Sequence, residues 1–336
     1  MALPNSPIPT RVLPYGAAAI AEGARLILAG ELVAVATETV YGLAADATDS
    51  RAVAGIYAAK GRPSFNPLIV HVLDLAAAQE LGEFDDLALE LAAVYWPGPL
   101  TLVLPHKHDS KIASLVTAGL PTIAIRVPAH RAMRALLEAS GRPLAAPSAN
   151  ASNGISPTRA EHVVASLGGR LPLVIDDGAT EAGLESTIVR TGIEPAILRP
   201  GPITQEILSP RLSSEHTLGS DAASIALELR EASASAAASG DAVTAPGQLA
   251  SHYAPAKPLR LNAQTATPNE WHIGFGPIPG DSTLSITGEL TEAAANLFDA
   301  LHRADASDRP TIAIAPIPTH GIGVAINDRL TRAAHI

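Results

Sequence analysis

Two cations lie on one short turn, the segment KGRP at residues 60–63. The pattern of residues 51–60 predicts a helix that ends there, because glycine suits a left-handed C-cap and proline cannot continue a helix. The compact ammonium of Lys60 beside the planar guanidinium of Arg62 can hold phosphate oxygens. The alternative is an ordinary helix end whose cations favour the helix dipole, and the turn alone favours that alternative.

A second polar group lies in the segment PSAN at residues 147–150. In an extended segment, Ser148 and Asn150 point to the same side. Their hydroxyl and amide suit phosphate or ribose oxygens. The alternative is an ordinary Asx or Ser turn, which these residues alone favour.

Two more cations, Arg126 and Arg199, follow or end apolar runs that predict strands at residues 122–127 and 196–198. Such strands would carry both guanidiniums to a sheet edge. Several cations at strand ends favour a polyanionic ligand, of which ATP is one, whereas an exposed surface cation is the alternative for each. Transfer of a phosphoryl or nucleotidyl group depends on positioning and charge neutralisation and needs no nucleophilic side chain.

The elements that would position these residues form a strand–helix–strand pattern between residues 31 and 71. A buried strand at 32–36 leads into a polar turn, TET at 37–39, and a second strand at 67–72 follows the helix. This βαβ pattern is typical of an α/β fold, in which the polar turns frame a ligand crevice.

The α/β pattern extends to residue 198. Residues 1–16 are expected to form a loose entry segment. Further helices are predicted at residues 17–29, 75–82, 85–95, 131–140 and 158–167. Further strands are predicted at residues 100–104, 122–127, 144–146, 173–175, 186–190 and 196–198.

Residues 209–256 are rich in Ala, Ser and small polar residues, which predicts a linker with one helix at 225–234. A second, small α/β unit follows the linker. Its predicted strands are at 259–261, 271–275 and 311–315, and its predicted helices are at 291–302 and 324–334. It lacks the glycine fingerprint of a dinucleotide site, so we assign it no cofactor.

Composition limits the class of protein. The chain has 336 residues, 47% hydrophobic and 17% charged, which predicts a folded protein with a sizeable core and room for two domains. The net charge of −10 argues against a dedicated nucleic-acid binder. The absence of cysteine excludes disulfides and thiolate metal sites and favours a cytoplasmic location. The first 16 residues resemble neither a signal peptide nor a membrane span.

Seven segments occur in an order that resembles the YrdC-like family of L-threonylcarbamoyladenylate synthases. They are TETVYGLAADA, KGRPSFNPLIVHV, WPGPLTLVL, RVPAH, APSANASNGISPT, GLESTIV and LRPG. The later HYAP segment resembles the longer, two-domain type. One departure is Ala36, where the family usually has proline. The resemblance implies a YrdC-like twisted-sheet catalytic domain (1–208), a linker with a lid segment (209–256) and a Rossmann-like accessory domain (257–336).

The resemblance implies a reaction that joins L-threonine, bicarbonate or CO2, and ATP into threonylcarbamoyl-AMP and releases pyrophosphate. Mg²⁺ is expected to accompany ATP, and the product is expected to supply a downstream tRNA threonylcarbamoyl transferase complex. An RNA-binding module without catalysis is one alternative, against which the net charge weighs. The carbamoyl-transfer protein of hydrogenase maturation is another, but its zinc-binding cysteines are missing here.

The resemblance also implies roles for individual residues. The implied catalytic residues are Lys60, Arg62, Ser148 and Asn150. The implied ATP contacts are Lys60, Ser64, Thr122, Ser148, Ser156, Arg199 and Tyr253. The implied L-threonine contacts are Thr37, His71, Arg126, Ala146 and Ser186.

Two features leave alternatives open. Tyr253 is either a lid over the nucleotide or part of a tether that packs on the second domain. The local acids are solvated loop residues, or one or two of them help to hold Mg²⁺, and we assign no metal ligand. These acids are Glu38, Asp46, Asp176, Asp177 and Glu185.

Overall fold

A computed structural model of the chain describes residues 9–192, 194–212 and 252–335. We call residues 9–212 the N-terminal domain and residues 252–335 the C-terminal domain. The helix predicted at 225–234, and most of the predicted linker, lie outside the described residues. The exact domain limits stay a prediction.

The N-terminal domain alternates strands and helices, as the sequence predicts. Its strands are β1 (Arg11–Pro14), β2 (Val33–Val35), β3 (Gly42–Asp46), β4 (Ile69–His71), β5 (Leu100–Pro105), β6 (Thr122–Arg126), β7 (Leu144–Ala145), β8 (Leu173–Asp176), β9 (Thr187–Arg190) and β10 (Ala196–Arg199). Its helices are α1 (Ala17–Leu28), α2 (Ser50–Lys60), α3 (Leu75–Gln79), α4 (Asp86–Tyr95), α5 (Ser114–Thr117), α6 (Arg131–Ser140), α7 (Ala160–Leu167) and α8 (Gln205–Leu212).

Helix α2 forms where its end signals predict it. The Asp49 carboxylate caps the first turn by accepting the N–H groups of Arg51 and Ala52. Gly61 ends the helix with φ of 61°, a left-handed conformation that favours glycine. The helix therefore delivers Lys60 to the start of the basic turn at a fixed position.

The predicted βαβ unit is wrong in its first half. The chain leaves β2, turns through the polar segment 37–41 and returns as β3, which pairs antiparallel with β2. The sequence misses β3 because this strand is fully buried and rich in alanine, so it shows no alternation of polar and apolar residues. The prediction of a loose entry segment at residues 1–16 is also wrong in part, since β1 lies in this segment and pairs in parallel with β8.

All these strands form one mixed sheet in the order β1-β8-β2-β3-β7-β4-β6-β5-β9-β10. The largest hydrophobic cluster covers one face, where Val70, Leu102 and Ile125 point. The other face carries a second cluster beneath α1 and α6, which includes Val33 and Leu144, and a small apolar patch that includes Ile69 and Ala124. Because side chains alternate along a strand, every second residue of the central strands points to this second face.

The C-terminal domain is a smaller α/β unit, as predicted. Its strands are β11 (Leu259–Arg260), β12 (Glu270–Gly274), β13 (Ser282–Thr283) and β14 (Thr311–Ile314), and its helices are α9 (Leu290–Asp305) and α10 (Gly323–Ala333). The strands pair in parallel in the order β11-β14-β12-β13. Strand β13 is not predicted by the sequence. Nowhere in the described parts of either domain is a helix both long and apolar enough to cross a membrane.

The two domains meet along helix α9. The rings of His162 and His302 stack across the boundary with centroids 3.8 Å apart. Arg159 donates to Asp299 at 2.9 Å. Gly183 lies so close to α9 that an added Cβ would be 2.5 Å from the Ala294 carbonyl oxygen. A side chain at position 183 therefore requires the domains to move apart.

We expect Gly183→Ala to loosen this contact and to lower the free energy of unfolding by about 1–3 kcal/mol through overpacking, beyond the cost of the left-handed backbone. Gly141→Ala is the matched control, because its φ of 59° is close to the 65° of Gly183 but no atom lies within 4 Å of the added Cβ. Urea denaturation and limited proteolysis measure the effect. Equal losses in both variants would contradict it.

Candidate active site

A cavity lies on the second face of the sheet, beneath the start of the C-terminal domain. About 550 Å³ of space lies among its lining residues, a volume that includes space open to solvent. Its lining includes most residues that the sequence singles out. They are Thr37, Arg62, His71, Arg126, Ala146, Ser148, Ser186, Arg199 and Tyr253.

The sheet explains why these residues meet. His71 on β4 and Arg126 on β6 are paired in register, so both side chains point to the same face. Arg199 on β10 lies opposite Ile188 of that face. Arg126 is the last residue of β6, as expected of a cation at a strand end, and the period-2 alternation points its side chain to this face.

Lys60 lies beneath the cavity wall. Its side chain is buried, and Nζ donates to the Ser148 and Asn150 carbonyl oxygens at 2.6 and 2.5 Å. These two bonds tie the basic turn to the PSAN segment. Burial, and secondarily the charge of Arg62, lower the pKa of Lys60 well below its usual value. An incoming anion would offset both effects.

The guanidiniums of Arg62 and Arg199 also lie at the cavity. Arg62 Nη2 donates to the Pro67 carbonyl oxygen at 2.9 Å, and burial lowers the pKa of Arg62 to about 10, so it stays charged at neutral pH. Arg199 Nε and Nη2 both donate to the Ser186 carbonyl oxygen, at 3.1 and 2.9 Å. Backbone oxygens thus hold both planar groups at the cavity.

Hydrogen bonds within residues 37–40 hold the polar turn together. Thr37 Oγ1 donates to the Val40 carbonyl oxygen at 2.6 Å and accepts the N–H groups of Thr39 and Val40. Thr39 Oγ1 in turn accepts from Arg126 Nη1 at 2.9 Å. The turn therefore fixes the guanidinium of Arg126 against the cavity.

Arg126 is also one half of a buried ion pair. Its Nη2 lies 2.6 Å from Glu38 Oε1, and both side chains are nearly inaccessible. The Glu38 carboxylate accepts the N–H groups of Ala129 and His130 as well. Burial alone raises the pKa of Glu38, but the Arg126 guanidinium outweighs it and holds the pKa below its usual value. Glu38 is therefore ionised at neutral pH.

Several polar atoms at or beside the cavity are buried and have no partner. They are His71 Nδ1, Asn150 Oδ1, His252 Nδ1 and Tyr253 Oη. Burial, and secondarily Arg126, lower the pKa of His71 to about 3, so its ring is neutral at physiological pH. Because buried polar groups without partners are costly, their concentration around one cavity indicates a polar ligand.

Tyr253 belongs to the C-terminal domain but also lies against the cavity of the N-terminal domain. Its side chain lines the cavity and is almost fully buried, while its ring packs 5.7 Å from that of Phe298 in the C-terminal domain. The backbone at Tyr253 has φ of 64°, and the next residue, Ala254, donates its N–H to the Asn153 carbonyl oxygen at 2.7 Å. The segment thus lies over the N-terminal domain and also packs on the second domain, so the two sequence-based alternatives are compatible.

We expect Tyr253→Phe to weaken ATP affinity about 3- to 10-fold, since it removes one hydrogen-bonding group and keeps the ring. The free energy of unfolding should stay constant or rise, because the lost hydroxyl has no partner. Calorimetric ATP titration and urea denaturation measure the two effects. Tyr15→Phe, outside the cavity, is the control. Unchanged ATP affinity would remove Tyr253 Oη from the nucleotide site.

The structure corrects the surface interpretation of several charged residues. Lys60, Arg126 and Arg199 are only 3%, 3% and 5% exposed, so they are not surface cations. Glu38 and Glu185 are buried and paired with arginines rather than solvated. The other local acids have partners too: Asp46 with Thr48, Asp176 with Tyr41, and Asp177 with Arg131.

Some predicted contact residues lie outside the cavity lining. Ser64 is exposed on the basic turn, and Thr122 begins β6 about 13 Å from Arg126 at strand spacing. Ser156 is buried and donates to Glu185. Asn150 donates through Nδ2 to the Ala151 and Gly154 carbonyl oxygens. Their ligand roles stay predictions.

The sequence misses other members of the site. Thr39 and His252 line the cavity, and Glu38 and Glu185 act as buried counter-ions. Thr39 and Glu38 lie inside the polar turn, and His252 lies beside Tyr253, so position alone offered a signal for these three. The sequence distinguishes both Glu38 and Glu185 only as local acids.

Fold and cavity together define an α/β protein with an arginine-lined cavity on a mixed sheet, covered by a second α/β domain. The Sua5/YciO/YrdC family model, described as telomere recombination, matches residues 25–201. The model described as the C-terminal domain of threonylcarbamoyl-AMP synthase matches residues 221–335.

Individual relatives agree with both models. Threonylcarbamoyl-AMP synthase of Bacillus subtilis is 38% identical, covering 94% of this chain and 92% of the relative, and that of Pyrococcus abyssi is 37% identical, covering 93% and 92%. The crystal structure of P. abyssi Sua5 complexed with L-threonine matches with a TM-score of 0.82 at 33% identity, over 97% of each chain. The chain belongs to the two-domain Sua5 family of threonylcarbamoyl-AMP synthases, which confirms the resemblance.

Proposed function

We propose that the protein joins L-threonine, bicarbonate or CO2, and ATP into threonylcarbamoyl-AMP and pyrophosphate. The observation that carries this proposal is a single cavity in which Arg62, Arg126 and Arg199 surround buried polar atoms without partners. Such a cavity suits a ligand with several negative charges and several hydrogen-bonding groups. ATP together with an amino acid supplies both.

In the proposed reaction, the threonine amine adds to the carbon of CO2 and loses a proton, which forms a carbamate. A carbamate oxygen then attacks the α-phosphorus of ATP, the bond from that phosphorus to the β-bridging oxygen breaks, and pyrophosphate leaves. The roles assigned to this chain are positioning and charge neutralisation. Lys60, Arg62, Ser148 and Asn150 hold the phosphates, and Arg199 and Tyr253 complete the nucleotide site.

The threonine end of the cavity is proposed to lie between β4 and β6. Arg126 would bind the carboxylate, and Thr37 and Ser186 would bind the amine or hydroxyl. His71 is neutral, so it would orient the substrate through a hydrogen bond at its unpartnered Nδ1 rather than through charge. A site built around a hydroxyl rejects an analogue that lacks it, so alanine should be excluded more strongly than serine.

Within the described part of the chain, the side chains do not form a dedicated magnesium site. Glu38 and Glu185 are both engaged by arginines, and across residues 9–192, 194–212 and 252–335 no three acidic or histidine side chains cluster as metal ligands. Mg²⁺ that accompanies ATP is therefore proposed to be held by phosphates and water. Supply of the product to a tRNA threonylcarbamoyl transferase complex, and a cytoplasmic location, stay predictions.

The test is pyrophosphate release by the purified chain with ATP, threonine and bicarbonate, and with each omitted in turn. We expect release to depend on all three and serine to replace threonine better than alanine does. Release without threonine would contradict the proposal. Titration with tRNA at several salt concentrations tests the RNA-binding alternative, since binding to phosphates weakens steeply with salt.

A further inference from the structure

Arg329, a residue of the C-terminal domain, places a positive charge at the wall of the cavity. It lies on α10, and its side chain is completely buried. Nε donates to Glu185 Oε2 at 2.9 Å, and Nη1 donates to Asp328 Oδ2 at 2.8 Å. Its guanidinium lies 5.3 Å from the centre of the Tyr253 ring. One arginine of the second domain therefore contacts both a lining carboxylate and the lining aromatic ring.

Glu185 is a carboxylate in a place where phosphates are expected. It lines the cavity, accepts from Ser156 Oγ and directly precedes Ser186, on which Arg199 is held. Burial alone raises the pKa of Glu185, but Arg329, followed by Arg199, outweighs it and keeps the pKa below its usual value. The carboxylate is therefore ionised and needs a counter-ion.

Apolar packing also joins the loops beside the cavity to the C-terminal domain. Val40, Ile155 and Leu184 belong to the N-terminal domain, yet they pack in the hydrophobic cluster of the C-terminal domain. Each is adjacent in sequence to a residue of the cavity or its wall: Thr39, Ser156 and Glu185. Docking of the second domain thus holds these loops through apolar contacts as well as through Arg329.

We propose that Arg329 is a positioning residue of the nucleotide site, so that the C-terminal domain completes the active site. By engaging Glu185, it keeps this carboxylate from competing with the ATP phosphates for Arg199. Loss of Arg329 leaves a buried carboxylate beside the phosphate site, which repels ATP and draws Arg199 toward itself. This proposal rests on the proposed function for the identity of the ligand.

The test compares full-length Arg329→Met with Arg309→Met, a control on the same domain whose ion pair with Asp308 is exposed. We expect Arg329→Met to weaken ATP affinity in calorimetry, and to raise the KM for ATP, at least about 10-fold at about pH 8. The defect should shrink toward about pH 6, because only the charge of Arg199 then offsets the burial that raises the pKa of Glu185, and protonation neutralises the carboxylate. Arg309→Met should match the wild type.

A double variant distinguishes a positioning role of Arg329 from a role in protein stability alone. Arg329→Met combined with Glu185→Gln removes the stranded charge, so ATP affinity should recover at least about threefold over Arg329→Met and lose its pH dependence. If Arg329→Met lowers only the unfolding temperature, with ATP affinity and its pH dependence like the wild type, the proposal is wrong. No recovery in the double variant also overturns it. ATP affinity tests the proposal without turnover, whereas absence of pyrophosphate release by the wild type would overturn only the proposed reaction.

Discussion

Replacement of Lys60 by methionine is expected to lower threonine-dependent pyrophosphate release roughly 100- to 1,000-fold, the usual cost of one preorganised charge-stabilising donor. Methionine keeps the length and apolar stem of the side chain but removes the ammonium. In the structure this ammonium joins the basic turn to the PSAN segment through the Ser148 and Asn150 carbonyl oxygens. The substitution thus removes both a phosphate-neutralising charge and the link between two phosphate-binding segments.

The matched control is Lys111→Met, since Lys111 is exposed and lies outside the cavity lining. Steady-state rates are measured for variants whose thermal unfolding shows a folded state at the assay temperature. Arg62→Ala should follow the same direction, because its guanidinium lines the cavity. A near-normal rate for Lys60→Met in a folded protein would remove the central claim about the phosphate site.

Replacement of Arg126 by methionine is expected to weaken threonine affinity at least about 30-fold, equivalent to 2 kcal/mol or more for loss of a buried charge partner of the carboxylate. The same change strands the Glu38 carboxylate in the interior, so the free energy of unfolding should fall by about 3–5 kcal/mol. The loss of affinity and the loss of stability therefore have different origins.

Arg126→Met combined with Glu38→Gln distinguishes these origins. The double variant removes the stranded charge and should regain stability, but it still lacks the group that binds the threonine carboxylate. Urea denaturation and calorimetric threonine titration measure the two quantities, and Arg131→Met, whose guanidinium is exposed, is the control. Unchanged threonine affinity with weakened ATP affinity would reassign Arg126 to the nucleotide.

Local signals were sufficient for much of the secondary structure. The Asp49 cap and the Gly61 stop define α2, and the predicted helix 131–140 coincides with α6. These signals act within a few residues, so the sequence displays them directly. Strand β3 lacks such a signal, because a fully buried alanine-rich strand has neither alternation nor strong β-propensity.

Motif order in the sequence was sufficient for the family and the two-domain organisation, both of which the comparisons confirm. The resemblance carried by these motifs also implies most of the polar residues that line the cavity. The role of each of these residues stays a proposal.

Only the tertiary structure decided how the charges of the site are balanced. Glu38 pairs with Arg126, and Glu185 pairs with Arg329, which is 144 residues away in the other domain. Neither pair has a sequence signature. A buried ion pair forms only where two side chains meet in a site shielded from water, and sheet register and domain docking decide which side chains meet. By itself the sequence determined which polar groups the protein has for binding an anion and an amino acid. The fold determined which of those groups are already paired and which face the cavity, because only burial makes an unpaired polar group costly enough to require a ligand.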